Sequence, residues 1–250
     1  MPEVDYQRTD VARRYSQGRE LPDDVLDRWG AAVRPYLPSR PGLRVLDLGA
    51  GTGIFARAWP SWAPCEVVAV EPAAGMRAEL AEQLTGGSVA VVAGRAEQVP
   101  LRAGSVDVAW LSTVVHHLSD LPACAAEIRR VLAADGTVLV RGLFADLGRI
   151  PGLDLVPGSD RAVAAFPSVA TVEDAFGSAG LPLRAAEAVQ DRGATIVGQA
   201  AEWIRTVRHA DTLLLRFTDE ELEAGLEDMG ALDPESPLEP ATLGLLAFGP

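Results

Sequence analysis

The stretch Val45-Leu46-Asp47-Leu48-Gly49-Ala50-Gly51-Thr52-Gly53 constrains this chain more than any other. An apolar run feeds directly into three alternating glycines, and helix-forming residues through Trp59 follow. This is the pattern of a buried strand, a tight turn and a helix. Glycine lets the backbone turn sharply and lets a ligand approach where a Cβ would collide. The free amides that open the following helix form an electropositive end, suited to a pyrophosphate or to an amino-acid carboxylate. The turn therefore reads as a ligand site on an α/β fold.

The rest of the chain repeats the rhythm. Strands are expected at 43–48, 66–70, 88–92, 106–111 and 136–140, with helices at 73–84 and 122–132 between them. The runs are nearly continuous in Val, Leu and Ala, as parallel strands covered on both faces require. Alternation of strand and helix gives a doubly wound sheet, and right-handed crossovers restrict its topology. Ahead of this core, Val4–Ser16 can form a short helix, and Asp23–Tyr36 reads as a second one with Val25, Leu26, Trp29, Ala32 and Val33 on its apolar face. Beyond it, 144–170 is rich in Gly and Pro and reads as a loop. Thr171–Ala179 is a helix with Thr171 as N-cap, 183–189 a strand, 199–214 and 219–229 amphipathic helices, and 241–248 a last strand. The expected organisation is a helical lid over 1–41, a ligand-binding core over 42–143, and a loop and helical cap with the last strands over 144–250.

Charge narrows the partners. The formal net charge is −13, from 22 basic and 35 acidic side chains, and no run of Lys or Arg interrupts it. Nucleic-acid binding needs a basic face, and an anionic membrane repels an acidic one, so neither partner is expected. No stretch approaches the roughly 20 apolar residues of a membrane span, and the N-terminus lacks the apolar core of a secretory signal. Cys65 and Cys124 form no metal-type cluster and read as reduced thiols. A cytoplasmic monomer or homodimer acting on a small molecule is the expectation.

Two ligands compete for the turn. Gly51, Gly53 and Ala56 satisfy the G-x-G-x-x-G/A spacing of dinucleotide sites, which would make the chain an NAD-dependent oxidoreductase. Asp47, just before the first glycine, points elsewhere: a carboxylate there repels a pyrophosphate but can bond to an ammonium group. Glu71, at the end of the next strand in Val67-Val68-Ala69-Val70-Glu71-Pro72, can accept bonds from both hydroxyls of a ribose.

Asp47, Gly49, Gly51 and Gly53 together resemble motif I (D-x-G-x-G-x-G) of the class I S-adenosylmethionine-dependent methyltransferases. Ala93-Gly94-Arg95-Ala96-Glu97-Gln98-Val99-Pro100-Leu101 resembles the G-D-A-E-x-L-P-F segment of the ubiquinone-biosynthesis-like small-molecule group. It departs from that segment at Arg95, where the family has an aspartate. Ser105 to Leu118, with its His116-His117-Leu118 ending, is similar to that group's fourth strand and following turn. The resemblance spans roughly residues 42–143. It implies a Rossmann-like, mostly parallel seven-stranded sheet and methyl transfer from S-adenosylmethionine to oxygen, nitrogen or carbon of a small acceptor. It also implies a cofactor site built from Asp47, Gly49, Ala50, Gly51, Gly53, Glu71, Pro72, Met76, Ala96, Glu97 and Ser112. Val11 to Arg19 is similar to the A-x-x-Y-D-x-x-R lid of related enzymes, which adds Tyr15 and Arg19. A fold that binds the cofactor without methylating, for instance as a cyclase, remains a further alternative.

Methyl transfer from a sulfonium is a direct displacement, so alignment matters most and a base is needed only where the acceptor must lose a proton. His116 and His117 follow a central strand at its carboxyl end, where ligands bind in such sheets. His116, then His117, are the candidate bases. Two histidines do not make a metal site, and no third ligand stands at suitable spacing. Arg141, at the end of the fifth strand, either binds an anionic acceptor or pairs with an acidic neighbour. Trp203, Ile204, Leu213, Leu214 and Phe217 either line the acceptor site or face the core.

Overall fold

A computed structural model describes residues 21–84, 87–191, 195–209 and 211–250. Five parallel strands form the heart of the sheet: β1 (Leu43–Leu48), β2 (Cys65–Glu71), β3 (Val89–Ala93), β4 (Val106–Ser112) and β5 (Leu132–Gly142). Their order is β3-β2-β1-β4-β5, so it reverses between β1 and β4. The sheet continues through β10 (Thr242–Phe248), which runs antiparallel to β5, to the two-residue β6 (Gly148–Arg149) and to β7 (Leu183–Gln190). Among the described residues the sheet has seven long strands, as expected, with β6 as a short addition. An antiparallel strand between β5 and β7 departs from the dinucleotide-binding order 3-2-1-4-5-6.

Strand periodicity divides the core into two layers. Val45, Val108, Trp110, Leu139, Leu245 and Ala247 point to one face. Leu46, Ala109, Leu111, Val138, Val140, Leu246 and Phe248 point to the other. The first face is covered by α1 (Asp23–Val33) and α2 (Ile54–Trp62), and also receives Leu80 of α3 (Ala74–Gln83). Trp110 stands at its centre, with Phe55, Trp59, Trp62 and Trp29 edge-on around it at 5.2 to 6.3 Å between ring centroids. Such rings bury large apolar areas, so α1 is pinned to the sheet through Trp29. The second face is covered by α4 (Leu121–Val131) and α6 (Val169–Ser178).

The cap differs from expectation in detail. The stretch 144–170 holds β6, a 3-10 turn at Leu153–Leu155 and the short α5 (Ser159–Ala164) in addition to loop. Helix α6 begins at Val169, because the Ser168 hydroxyl rather than Thr171 caps it, accepting the Thr171 amide at 3.1 Å. The expected helix 199–214 is α7 (Val197–Val207), followed by a 3-10 turn at Leu214–Arg216. Next comes α8 (Asp219–Gly230), which opens with a capping box between Thr218 and Glu221. Two residues each at 195–196 and 237–238 add a small ladder, β8 with β9. Ile204, Leu213, Leu214 and Phe217 are all buried in the first core layer, so they face the core. Cys65 and Cys124 are free thiols.

Candidate functional site

The order of the strands reverses between β1 and β4, and the crevice beyond their carboxyl ends is where ligands of open α/β sheets bind. The glycine turn lies there. The Val70 carbonyl accepts the Gly49 amide at 2.8 Å and the Ala50 amide at 3.2 Å, which ties the turn to β2. Gly53 takes a left-handed conformation (φ 83°) as the N-cap of α2, and a Cβ there would overlap Leu80. Gly51, also left-handed at φ 58°, is different: a Cβ on it would meet nothing within 4 Å. The turn is therefore packed at Gly53 and open at Gly51. Helix α2 starts with no side-chain cap and no acidic residue in its first turn. Its Ile54 and Phe55 amides keep their capacity for an anion, while the Ala56 amide is met by Asp47.

Two carboxylates frame the opening. Asp47 is 2% exposed, and its Oδ2 has no hydrogen-bond partner among the described residues. Burial, then the nearby charge of Glu71, pushes its pKa up to about 7, against the opposing pull of the Ala56 amide. A buried acid oxygen without a donor is costly, and a cationic donor placed there would repay the cost. Glu71 accepts the Gly51 amide at 2.9 Å and the Ala73 amide at 2.8 Å, one on each oxygen. Burial raises its pKa as well, opposed by those two amides and by Arg77. Each oxygen retains a second lone pair, so a diol can still bind. These features fit S-adenosylmethionine: an acid for its ammonium group, a fixed carboxylate for its ribose, and an open glycine in between.

The remaining expected cofactor residues lie along the same edge. Pro72 is exposed after β2, and Met76 is buried in the first turn of α3. Ala96 is buried and Glu97 half-buried in the loop after β3. Arg95 is exposed and its backbone pairs with Gln98 in an isolated bridge. Ser112 ends β4, and its Oγ accepts Arg141 Nη1 at 3.0 Å. Tyr15 and Arg19, with the helix expected at Val4–Ser16, lie outside the described residues.

The region that follows β4 is assembled from distant pieces. After Ser112 the backbone turns at Thr113, which holds φ at 55° although it is β-branched. Such a conformation is disfavoured for its side chain. The turn brings Val114 against Gly49 and starts the short 3-10 turn Val115–His117. His116 is half-buried and His117 exposed, with their rings 4.1 Å apart. The His116 ring lies 4.9 Å from Phe166, and Phe166 in turn lies 4.7 Å below the Arg216 guanidinium. Phe166 and Arg216 carry no local signal in the sequence; the fold alone brings Phe166 to His116 and Arg216 to Phe166. His209 is exposed on the cap.

Arg141 belongs to the second of its two readings. Its side chain is 5% exposed, it forms an ion pair with Asp191 and it donates to Ser112. Its guanidinium also lies over Trp29 at 4.7 Å and over Phe55 at 4.9 Å. Asp191 accepts the Trp29 indole N–H at 2.9 Å on the same oxygen that meets Arg141. This cluster ties α1, β4, β5 and the end of β7 together beneath the site. Asp191 was not foreseeable, since it is one acid among many in the sequence.

Residues 46–140 match a family described as "Methyltransferase domain". Malonyl-[acyl-carrier protein] O-methyltransferase of Serratia marcescens is 39% identical over 107 residues, 43% of this chain and 41% of the relative. Demethylmenaquinone methyltransferase of Parafrankia sp. is 32% identical over 149 residues, 52% of this chain and 58% of the relative. The chain spans about half the length of the curated relatives it matches. Among solved structures, a protein of Anabaena variabilis assigned as a methyltransferase of an antibiotic biosynthesis pathway superposes with a TM-score of 0.66 at 20% identity. That superposition covers 88% of this chain and 96% of the other.

Proposed function

We propose that this chain, whose residues 46–140 match the methyltransferase-domain family, is a class I S-adenosylmethionine-dependent methyltransferase that transfers a methyl group from S-adenosylmethionine to a small-molecule acceptor. One observation carries the reading: the buried Asp47 oxygen without a donor, set beside the open Gly51 and the amide-held Glu71. S-adenosylmethionine supplies a methyl on a sulfonium, activated toward direct displacement. Asp47 holds the ammonium end, the first amides of α2 hold the carboxylate, and Glu71 holds the ribose. Pro72, Met76, Ala96, Glu97 and Ser112 wall the site. His116 takes the acceptor's proton where one must leave, with His117 as the second candidate.

The relatives are named for O-methylation of a malonyl carrier-protein substrate and for methylation of demethylmenaquinone. Both names leave the accepting atom open for this chain. The net charge of −13 argues against nucleic acid, and among the described residues no helix is long and apolar enough to cross a membrane. We place the protein in the cytoplasm as a monomer or homodimer, with a lid over 1–41, a core over 42–143 and a cap over 144–250.

Calorimetric titration with S-adenosylmethionine tests the reading. The wild-type chain should bind, and Gly51→Arg should weaken binding by about a hundredfold or more, because its side chain enters the cleft that Gly51 leaves open. A circular dichroism spectrum like that of the wild type would show that the variant folds. Unchanged affinity would remove the site from the glycine turn.

A further inference from the structure

Among the described arginines of the cap, Arg216 is the one that is partly buried without an acidic partner. Arg149 pairs with Asp154, Arg161 with Glu221, and Arg208 with both Asp219 and Glu223. Arg216 has no hydrogen bond or ion pair from its guanidinium among the described residues, and its Nε is buried. Among the described residues its side chain meets the face of Phe166. The absence is telling in a chain with 35 acidic residues against 22 basic ones. Burial without a compensating anion pulls the Arg216 pKa below its usual value.

The position is held firmly. Arg216 ends the 3-10 turn that begins at Leu214, and Leu214 and Phe217 on either side are buried in the core. Its carbonyl accepts Arg161 Nη1 at 2.9 Å. The guanidinium is thus fixed at its base and free at its fork. Phe166, 6% exposed, bridges it to His116: the ring lies 4.9 Å from the imidazole and 4.7 Å from the guanidinium carbon. A cation, an aromatic wall and a candidate base stand in one row on the acceptor side.

We propose that Arg216 is the anion-recognition residue of the acceptor site and that the acceptor carries a carboxylate. This rests on the methyl-transfer reading for the identity of the site, but not for the binding itself. The guanidinium fork matches a carboxylate with two parallel hydrogen bonds. One unneutralised cation balances one charge, which favours a carboxylate over a phosphate carrying about 1.5 to 2 charges. Phe166 offers apolar contact to the body of such a molecule.

The test uses octanoate and octanamide as probes on the full chain saturated with S-adenosylhomocysteine, followed by calorimetry. Octanoate should bind at least about tenfold tighter than octanamide, a difference of about 1.4 kcal/mol. Arg216→Gln should erase the difference, and Arg216→Lys should keep part of it, with S-adenosylhomocysteine affinity unchanged in both. Equal binding of the two probes, binding of neither, or a preference that survives Arg216→Gln would overturn the proposal. Octyl phosphate binding tighter than octanoate would overturn the choice of carboxylate. Failure of S-adenosylhomocysteine to bind would strike the methyl-transfer reading instead, and the probes titrated into the unliganded chain would still judge Arg216.

Discussion

At the glycine turn a carboxylate is buried without a cation; at the cap a guanidinium is held without an anion. Asp47 and Arg216 are each half of an ion pair, and nothing in the described chain completes either one. Between them, Arg141 and Asp191 show the completed case, buried at 5% and 8% with Trp29 and Ser112 satisfying further atoms. A buried pair that is complete holds elements together, whereas a group without its counter-charge costs desolvation energy that a ligand of opposite charge would offset. On this view the turn accepts the cationic end of one molecule and the cap accepts the anionic end of another. His116 stands between the two regions.

The comparison can be broken most forcefully at His116. If it serves as the base between the two regions, His116→Ala should lower turnover by about 10²- to 10⁴-fold with the first acceptor that the wild type methylates. S-adenosylmethionine affinity should hold. Unchanged turnover would assign the base elsewhere or show that none is needed.

The completed pair can be opened on purpose. Asp191→Ala leaves Arg141 buried without its counter-charge and should cost about 3–5 kcal/mol in urea denaturation. Adding Arg141→Met should recover most of that loss, since the uncompensated charge goes with it. A loss under about 1 kcal/mol in the single variant would deny Asp191 its role as a structural partner.

The open half at Asp47 predicts the gentlest effect, and its sign is opposite to that of most carboxylates. Its folded pKa, about 7, lies above the ordinary value of 3.8. Between those values the folded chain binds a proton that the unfolded chain lacks. This group's contribution to stability therefore falls as pH rises from about 4 to about 7, and is level above. A bound ammonium group favours the ionised acid, so S-adenosylmethionine binding below pH 7 should release a proton. Affinity should then rise by up to about tenfold per pH unit up to pH 7. Calorimetry in two buffers of different ionisation enthalpy reads the proton directly. Asp47→Asn should abolish both the release and the slope; a slope that persists belongs to another group.

The glycine-turn half was legible residue by residue. Strand β1 begins and ends where its apolar run does, and Asp47, Gly49, Gly51, Gly53 and Glu71 meet at one edge because each closes or follows a strand. The information there is local: period, glycine and strand end lie within a few residues of each other. The cap was less legible. Ser168 displaced Thr171 as the cap of α6, since two hydroxyls three residues apart compete for one helix start and only packing chooses. Helix α5 and the β8–β9 ladder are too short for periodicity to register. The roles of Arg141, Phe166 and Arg216 depend on partners dozens of residues away.

By itself the sequence determined the doubly wound sheet, the place of the glycine turn and the acid set against it, because hydrophobic period and glycine chemistry act over short spans of chain. Tertiary structure alone decided which charges are paired. It gave Arg141 to Asp191, left Oδ2 of Asp47 without a donor among the described residues, and set both Arg216 and His116 against Phe166. The physical reason is that desolvation and ion pairing depend on distance in space, and partners such as Arg141 and Asp191 lie 50 residues apart in the chain.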